Sequence, residues 1–177
     1  MQKKPVTLDQ LKIQPHDLFH NQWVLLASGD YANNDYNAMT IGWGALGTMW
    51  SKPFVFVAVR HSRYTFQFME KYDTFTLTAF PHEYHSALSL LGSRSGRDGD
   101  KITASGLTAE PAQVVAAPSF KEAEILIECR KIYANDLNPA HFLDESIYRH
   151  YPKRDFHRIY YGEIVSTFAT AKYIANE

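Results

Sequence analysis

Six consecutive residues, Arg60-His61-Ser62-Arg63-Tyr64-Thr65, carry the densest chemistry in this chain of 177 residues. A phosphate monoester needs positive charge, short hydroxyl donors and free backbone N–H groups. Arg60 and Arg63 offer guanidinium forks, and Ser62 and Thr65 offer hydroxyls. The cluster follows an apolar run and opens a helical pattern, where unsatisfied amides and the helix dipole favour an anion. Just upstream, Asn37 to Trp43 alternates Ala38, Thr40 and Gly42 on one face with Met39, Ile41 and Trp43 on the other. Small residues on one face leave room for something flat. The order points to a flat, phosphate-bearing ligand lying across a β framework. The plain alternative is a capped helix flanked by solvated arginines.

Two further stretches fit that ligand. Thr48-Met49-Trp50-Ser51-Lys52-Pro53 has hydroxyls and amides for the polar rim of a redox ring, and Lys52 can stabilise charge developing on the reduced ring. The competing reading is a turn whose Trp50 packs in the core. Gly92 to Lys101 brings Arg94, Arg97 and Lys101 within reach of a phosphate or a charged substrate, or is simply an exposed charged loop. It lacks the spacing of a P-loop.

Other chemistries are weakly represented. Gly42-Trp43-Gly44-Ala45-Leu46-Gly47 spells G-x-G-x-x-G, but Pro53 and a strand follow too soon for the crossover helix of a dinucleotide fold. These glycines instead let the backbone turn sharply or approach a ring. His82 and His85 lack the further ligands that zinc requires. Asp136, His141, Asp144, His150 and His157 assemble no acid–base pair by spacing, and Ser62 has no nucleophile elbow. Cys129 sits mid-strand and reads as a small buried residue.

The elements that must position these groups are mostly strands. Trp23–Ser28, Asn37–Trp43, Pro53–Arg60, Phe75–Phe80, Glu124–Ala134 and Arg158–Phe168 read as strands, with a Gly/Asn/Asp turn over Gly29–Asp35. Ser62 is the expected N-cap of a helix over Arg63–Tyr72, whose Phe66, Met69 and Tyr72 face the core. Pro81 opens a second helix, His82–Leu91, and Gly92–Asp100 is a loop. Strands outnumber helices and short turns join them, so an antiparallel barrel is favoured over a doubly wound sheet.

A chain of this length fits one domain, taken as 1–177. A net charge of −1 gives no footprint for nucleic acid or a membrane surface. A single cysteine forms no internal disulfide and suits the cytoplasm. The N-terminal MQKKPVTLDQLKIQ lacks the apolar core of a secretory signal.

Taken together, Asn37-Ala38-Met39-Thr40 with Trp43, then Trp50-Ser51-Lys52-Pro53, then Val59 through Thr65, resemble the flavin reductase-like, FMN-binding split-barrel family, in its flavoredoxin-type branch. Phe75-Thr76-Leu77 before Phe80-Pro81, the Ser95-Gly96-Arg97-Asp98 loop with Lys101, and Tyr161-Gly162-Glu163-Ile164-Val165 continue the likeness. The resemblance implies a mainly β, Greek-key split barrel, usually a homodimer with FMN near the subunit interface. It implies that Met39, Thr40, Thr48, Trp50, Ser51 and Lys52 flank the isoalloxazine ring, and that Arg60, Ser62, Arg63 and Thr65 hold the phosphate, joined by Arg97 and Lys101. The implied activity is an FMN-dependent oxidoreductase. It would take hydride or electrons, with NAD(P)H as a candidate donor, and pass them to a small molecule or an electron-transfer protein. The alternatives are a non-catalytic flavin module, a haem-binding module using His61, His141 or His157, and a pyridoxal-phosphate-linked oxidase. Residues 135–153 carry no feature the family explains.

Overall fold

The computed structural model describes residues 2–175; Met1, Asn176 and Glu177 of the expected domain lie outside the described residues. Its principal strands are β1 (Lys4–Pro5), β2 (Val24–Asp30), β3 (Asp35–Ile41), β4 (Gly44–Met49), β5 (Lys52–Arg60), β6 (Thr74–Ala79), β7 (Ala109–Pro111), β8 (Pro118–Phe120), β9 (Ile125–Asp136) and β10 (His157–Ala169). The helices are α1 (Pro15–Asp17), α2 (Tyr64–Lys71), α3 (His85–Ser93) and α4 (Lys101–Ser105). Among the described residues no helix is long and apolar enough to cross a membrane.

Seven strands run in the order β3-β2-β6-β9-β10-β5-β4, and β1 adds to the far end of β10. Every pairing is antiparallel. The two edges, β3 and β4, are joined in sequence by Gly42 and Trp43 alone. Three Cα–Cα steps reach about 11 Å, so the sheet must curl until its edges nearly meet. They do not hydrogen-bond to each other. The result is the split barrel anticipated from the sequence.

Alternation along β2 shows how the barrel is filled. Val24 and Leu26 join one buried cluster with Met39, Val57, Leu77, Ile127 and Tyr160. Leu25 and Ala27 face the other way, into a second cluster with Ala38, Phe80, Leu88, Leu91 and Phe120. The strand is therefore covered on both faces, and α3 packs its Ala87, Leu88 and Leu91 over one of them. Cys129 is fully buried.

Four local expectations change. First, Gly44–Met49 is a strand, β4, and not a glycine turn. A Cβ at Gly44 would come within 2.5 Å of the Phe19 ring and 2.8 Å of the Phe56 carbonyl oxygen, so glycine permits that packing. Second, Ser62 is not the cap of α2. Arg63 occupies that position with an extended backbone and no side-chain cap bond, while Ser62 Oγ lies 3.4 Å from Asp155 Oδ2. Third, α2 buries Thr65, Phe68 and Met69. Phe66 is only half-buried against the core, and Tyr72 lies past the helix end. Fourth, the region 92–100 is less irregular than expected: α3 extends through Ser93, and Gly96–Asp98 forms a 3-10 turn. Asp100 then caps α4 by accepting from the Ile102 and Thr103 amides.

Candidate functional site

Two adjoining hollows lie where β3 and β5 end. The first, of about 210 Å³, is lined by Met39, Thr40, Gly42, Trp43, Ala58, Arg60, Arg63, Gly92 and His157. The end of β3 supplies its floor. β5 and β10 supply one wall through Arg60 and His157, which pair directly across the two strands. Thr40 Oγ1 donates to the Leu88 carbonyl at 2.5 Å and so ties β3 to α3.

The second hollow, of about 150 Å³, is lined by Ser62, Arg63, Tyr64, Thr65, Ser93, Arg94, Ser95, Arg97 and Lys101. Arg63 borders both hollows, and its Nη2 donates to the Gly92 carbonyl at 2.5 Å. The first turn of α2 contributes amides that lack intrahelical acceptors. Thr65 Oγ1 accepts from Asn37 Nδ2 at 2.7 Å, so its own hydroxyl hydrogen is left to donate elsewhere. Lys101 is buried and donates two hydrogen bonds, to the Leu91 carbonyl at 2.9 Å and the Arg94 carbonyl at 3.1 Å. A third N–H remains. Arg97 Nη1 donates to the Ser62 carbonyl at 3.3 Å, and its guanidinium lies 5.0 Å from the Tyr64 ring centre.

The cations of this second hollow carry no ion pair. Among the described residues, none of Arg63, Arg94, Arg97 and Lys101 forms an ion pair with a carboxylate, whereas Lys52, Arg60 and Arg158 all do. Burial, then the neighbouring Arg63 charge, pulls the Lys101 ammonium down to about 8. Burial, then Arg60, likewise lowers Arg63. Such a cluster suits an anion.

The residues expected at the site divide into three places. Ser62, Arg63, Thr65, Arg97 and Lys101 converge on the cationic hollow. Met39, Thr40 and Arg60 line the first hollow. Arg60 does not line the cationic hollow. Its Nη1 pairs with Asp155 Oδ1 at 2.8 Å and its Nη2 donates to the His150 carbonyl at 2.8 Å. Arg60 holds the Asp155 carboxyl below the usual carboxylate range.

Thr48, Trp50, Ser51 and Lys52 stand elsewhere in the chain. They sit at the β4–β5 turn, at the opposite end of β5 from Arg60. The nine residues of β5 span about 26 Å. Thr48 and Ser51 line a separate hollow of about 620 Å³ with Leu8, Leu11, Ile13 and Pro53. Lys52 Nζ pairs with Glu163 Oε1 at 2.8 Å, and Trp50 is 58% exposed.

Two ring-bearing residues at the first hollow, Trp43 and His157, are not among the expected flavin contacts; His157 entered the sequence reading as a candidate haem ligand. His157 opens β10, and its Nδ1 lies 2.7 Å from Tyr151 Oη. Burial, then the Arg60 charge, pushes His157 down to about 4, so the ring is neutral at physiological pH. Its partner Arg60 is almost a hundred positions upstream, so no local pattern announces the pairing. His61 is committed to Asp136 at 2.8 Å.

These residues fit a flavin mononucleotide. A cationic hollow without ion pairs suits the phosphate, and Arg63 joins it to a hollow of small and aromatic residues for the ring. The chain matches the flavin reductase like domain family over residues 17–172, and it belongs to that family. No curated protein matches it. Among solved structures it is similar to an FMN-binding domain of a flavin reductases-like enzyme from Shewanella baltica. The identity is 15% and the TM-score 0.68, covering 95% of this chain and 77% of the other. It is also similar to the flavoredoxin of Desulfovibrio vulgaris, with 20% identity, a TM-score of 0.66, and coverage of 97% and 78%. The flavoredoxin of Methanosarcina acetivorans gives 20% identity, a TM-score of 0.65, and coverage of 96% and 74%. Both the family and the fold agree with the resemblance read from the sequence.

Proposed function

We propose that this protein is an FMN-dependent oxidoreductase that takes hydride or electrons onto a bound flavin and passes them to a small-molecule or protein acceptor. The observation that carries the reading is the hollow of Arg63, Arg97 and Lys101, none of which forms an ion pair with a carboxylate among the described residues, and which borders a second hollow lined by small and aromatic residues. Flavin supplies two-electron chemistry at its ring; the protein binds, orients and tunes it. In this reading Arg63, Thr65, Arg97, Lys101 and Ser62 hold the phosphate. Met39, Thr40, Trp43 and His157 border the ring. NADH or NADPH is the proposed donor by family likeness.

The proposal extends to a homodimer. Exposed Trp50 and Tyr133 form an aromatic patch on the outer sheet face with the half-buried Tyr161, and Phe54 stacks 5.6 Å from Tyr161. Such a patch favours cover by another surface. A second copy seated there would also account for the β4–β5 turn: Thr48, Trp50, Ser51 and Lys52 would approach a ring bound by the other protomer. Trp50 and Ser51 both hold positive φ, at 52° and 57°, in that two-residue turn. Exposed strain of this kind gathers at ligand clamps.

The test is an absorption spectrum of the purified protein with added FMN, followed by NADH and NADPH oxidation. The reading expects stoichiometric FMN binding and reduction of the bound flavin by one nicotinamide. A protein that leaves FMN free at micromolar concentration overturns it. Sedimentation showing only monomer at the same concentration overturns the dimer.

A further inference from the structure

Residues 137–156 leave β9 after Asp136 and return at His157, folding through two 3-10 turns, Pro139–His141 and Glu145–His150. Arg60 grips this loop on both sides of Tyr151, at the His150 carbonyl and at Asp155. Its guanidinium also lies 5.1 Å from the centre of the Tyr151 ring. Phe156 packs 4.9 Å from that ring and Phe142 stacks at 6.1 Å. Trp43 closes the group, 4.8 Å from the His157 ring. Tyr151 is 3% exposed, so its hydroxyl cannot fall back on bulk water. Its one side-chain partner among the described residues is His157 Nδ1.

His157 therefore has one ring nitrogen committed and one free. Nε2 has no hydrogen-bond partner among the described residues, yet the residue lines the first hollow. The ring stays neutral, because burial and then the Arg60 charge outweigh the opposing pull of Asp155. A neutral imidazole carries its hydrogen on one nitrogen and accepts at the other. Phenol is the stronger acid of the two groups, and an unprotonated imidazole nitrogen is the stronger base. The bond therefore runs from Tyr151 O–H to Nδ1, and the ring hydrogen sits on Nε2.

We propose that Tyr151 is a positioning residue: its hydroxyl fixes His157 as the Nε2–H tautomer. The hollow then presents a neutral donor to a carbonyl oxygen or unprotonated ring nitrogen of the flat ligand it holds. The identity of that ligand as flavin rests on the function proposed above; the tautomer does not. Arg60 acts one step further back, by clamping the loop that delivers Tyr151.

Nitrogen-15 NMR of the imidazole side chains tests this in the protein without ligand. At pH 7 the wild type should show a pyridine-type Nδ1 and a pyrrole-type Nε2 for His157. Tyr151→Phe should move both resonances toward the averaged positions of a tautomer mixture, with backbone dispersion retained. A pyrrole-type Nδ1 in the wild type overturns the proposal even if the variant fails to fold. So do identical His157 shifts in a folded Tyr151→Phe. Added FMN should then shift the Nε2 resonance, and Tyr151→Phe should bind it about fivefold more weakly. An unmoved Nε2 in the FMN-bound protein overturns the donor role. Tautomer locking with no FMN binding would uphold Tyr151 and sink the cofactor reading instead.

Discussion

Lys101 offers a sharp test, because its charge and its proposed ligand are coupled. Without an anion, burial and Arg63 lower it to about 8. A phosphate ester keeps two charges well above its second ionisation near pH 6, so its charge is constant from pH 7 to 9. Bound beside Lys101, the dianion would hold the ammonium protonated. FMN binding then carries a proton with it once the pH exceeds about 8. Affinity should be full at pH 7 and fall about tenfold for each pH unit above the midpoint, which gives roughly a tenfold loss by pH 9. Arginine side chains are always protonated in proteins and add no slope. The assay is quenching of FMN fluorescence, titrated at half-unit steps from pH 7 to 9. Lys101→Met is the control. At pH 7 it should bind about 10–100-fold more weakly, the worth of one charge-assisted hydrogen bond at about 1.5–3 kcal/mol. It should also show no pH dependence over this window. A flat wild-type profile, or an equal slope in Lys101→Met, would refute the placement of the phosphate beside this lysine.

Two other predictions concern stability. His157 is held near 4 in the folded protein and returns to its ordinary 6.5 on unfolding, so the unfolded chain binds the extra proton between those limits. The folded state is therefore favoured fully above pH 6.5 and progressively less as the pH falls toward 4. From pH 7.5 to 5 this is about 2 kcal/mol taken whole, and about 1 kcal/mol once solvent at the open hollow is discounted. Urea unfolding of the wild type against His157→Asn should show that difference, and equal pH profiles would count against a buried neutral ring. At the β4–β5 turn, Trp50→Asn with Ser51→Gly installs the residues that positive φ favours. The double variant should gain about 1 kcal/mol in stability while weakening self-association in sedimentation; loss of stability would contradict the strain.

The sequence carried the barrel well, for local reasons. Val24–Ser28 and Phe54–Val59 are dense in residues that suit buried strands, and Gly29–Asp35 is dense in turn formers. β4 escaped because Gly44, Gly47 and Thr48 give no hydrophobic alternation. Its identity comes from pairing with β5 and from space left for Phe19. At the site, the arginines flanking His61-Ser62 look equivalent in one dimension. The strand end directs Arg60 toward β10 and the 137–156 loop, while Arg63, at the cap of α2, reaches Gly92. Arg97 and Lys101 were suggested by the composition of their loop. The Tyr151–His157 pair was not, because a strand start and an aromatic-rich loop acquire meaning only when Arg60 brings them together.

A crystal structure of the protein with FMN tests the central claim most directly. The account predicts phosphate oxygens within hydrogen-bonding distance of Arg63, the Thr65 hydroxyl and Lys101, with the ring beside Thr40 and His157. A flavin whose phosphate points away from that hollow, leaving Arg63, Arg97 and Lys101 without an anion, would contradict it.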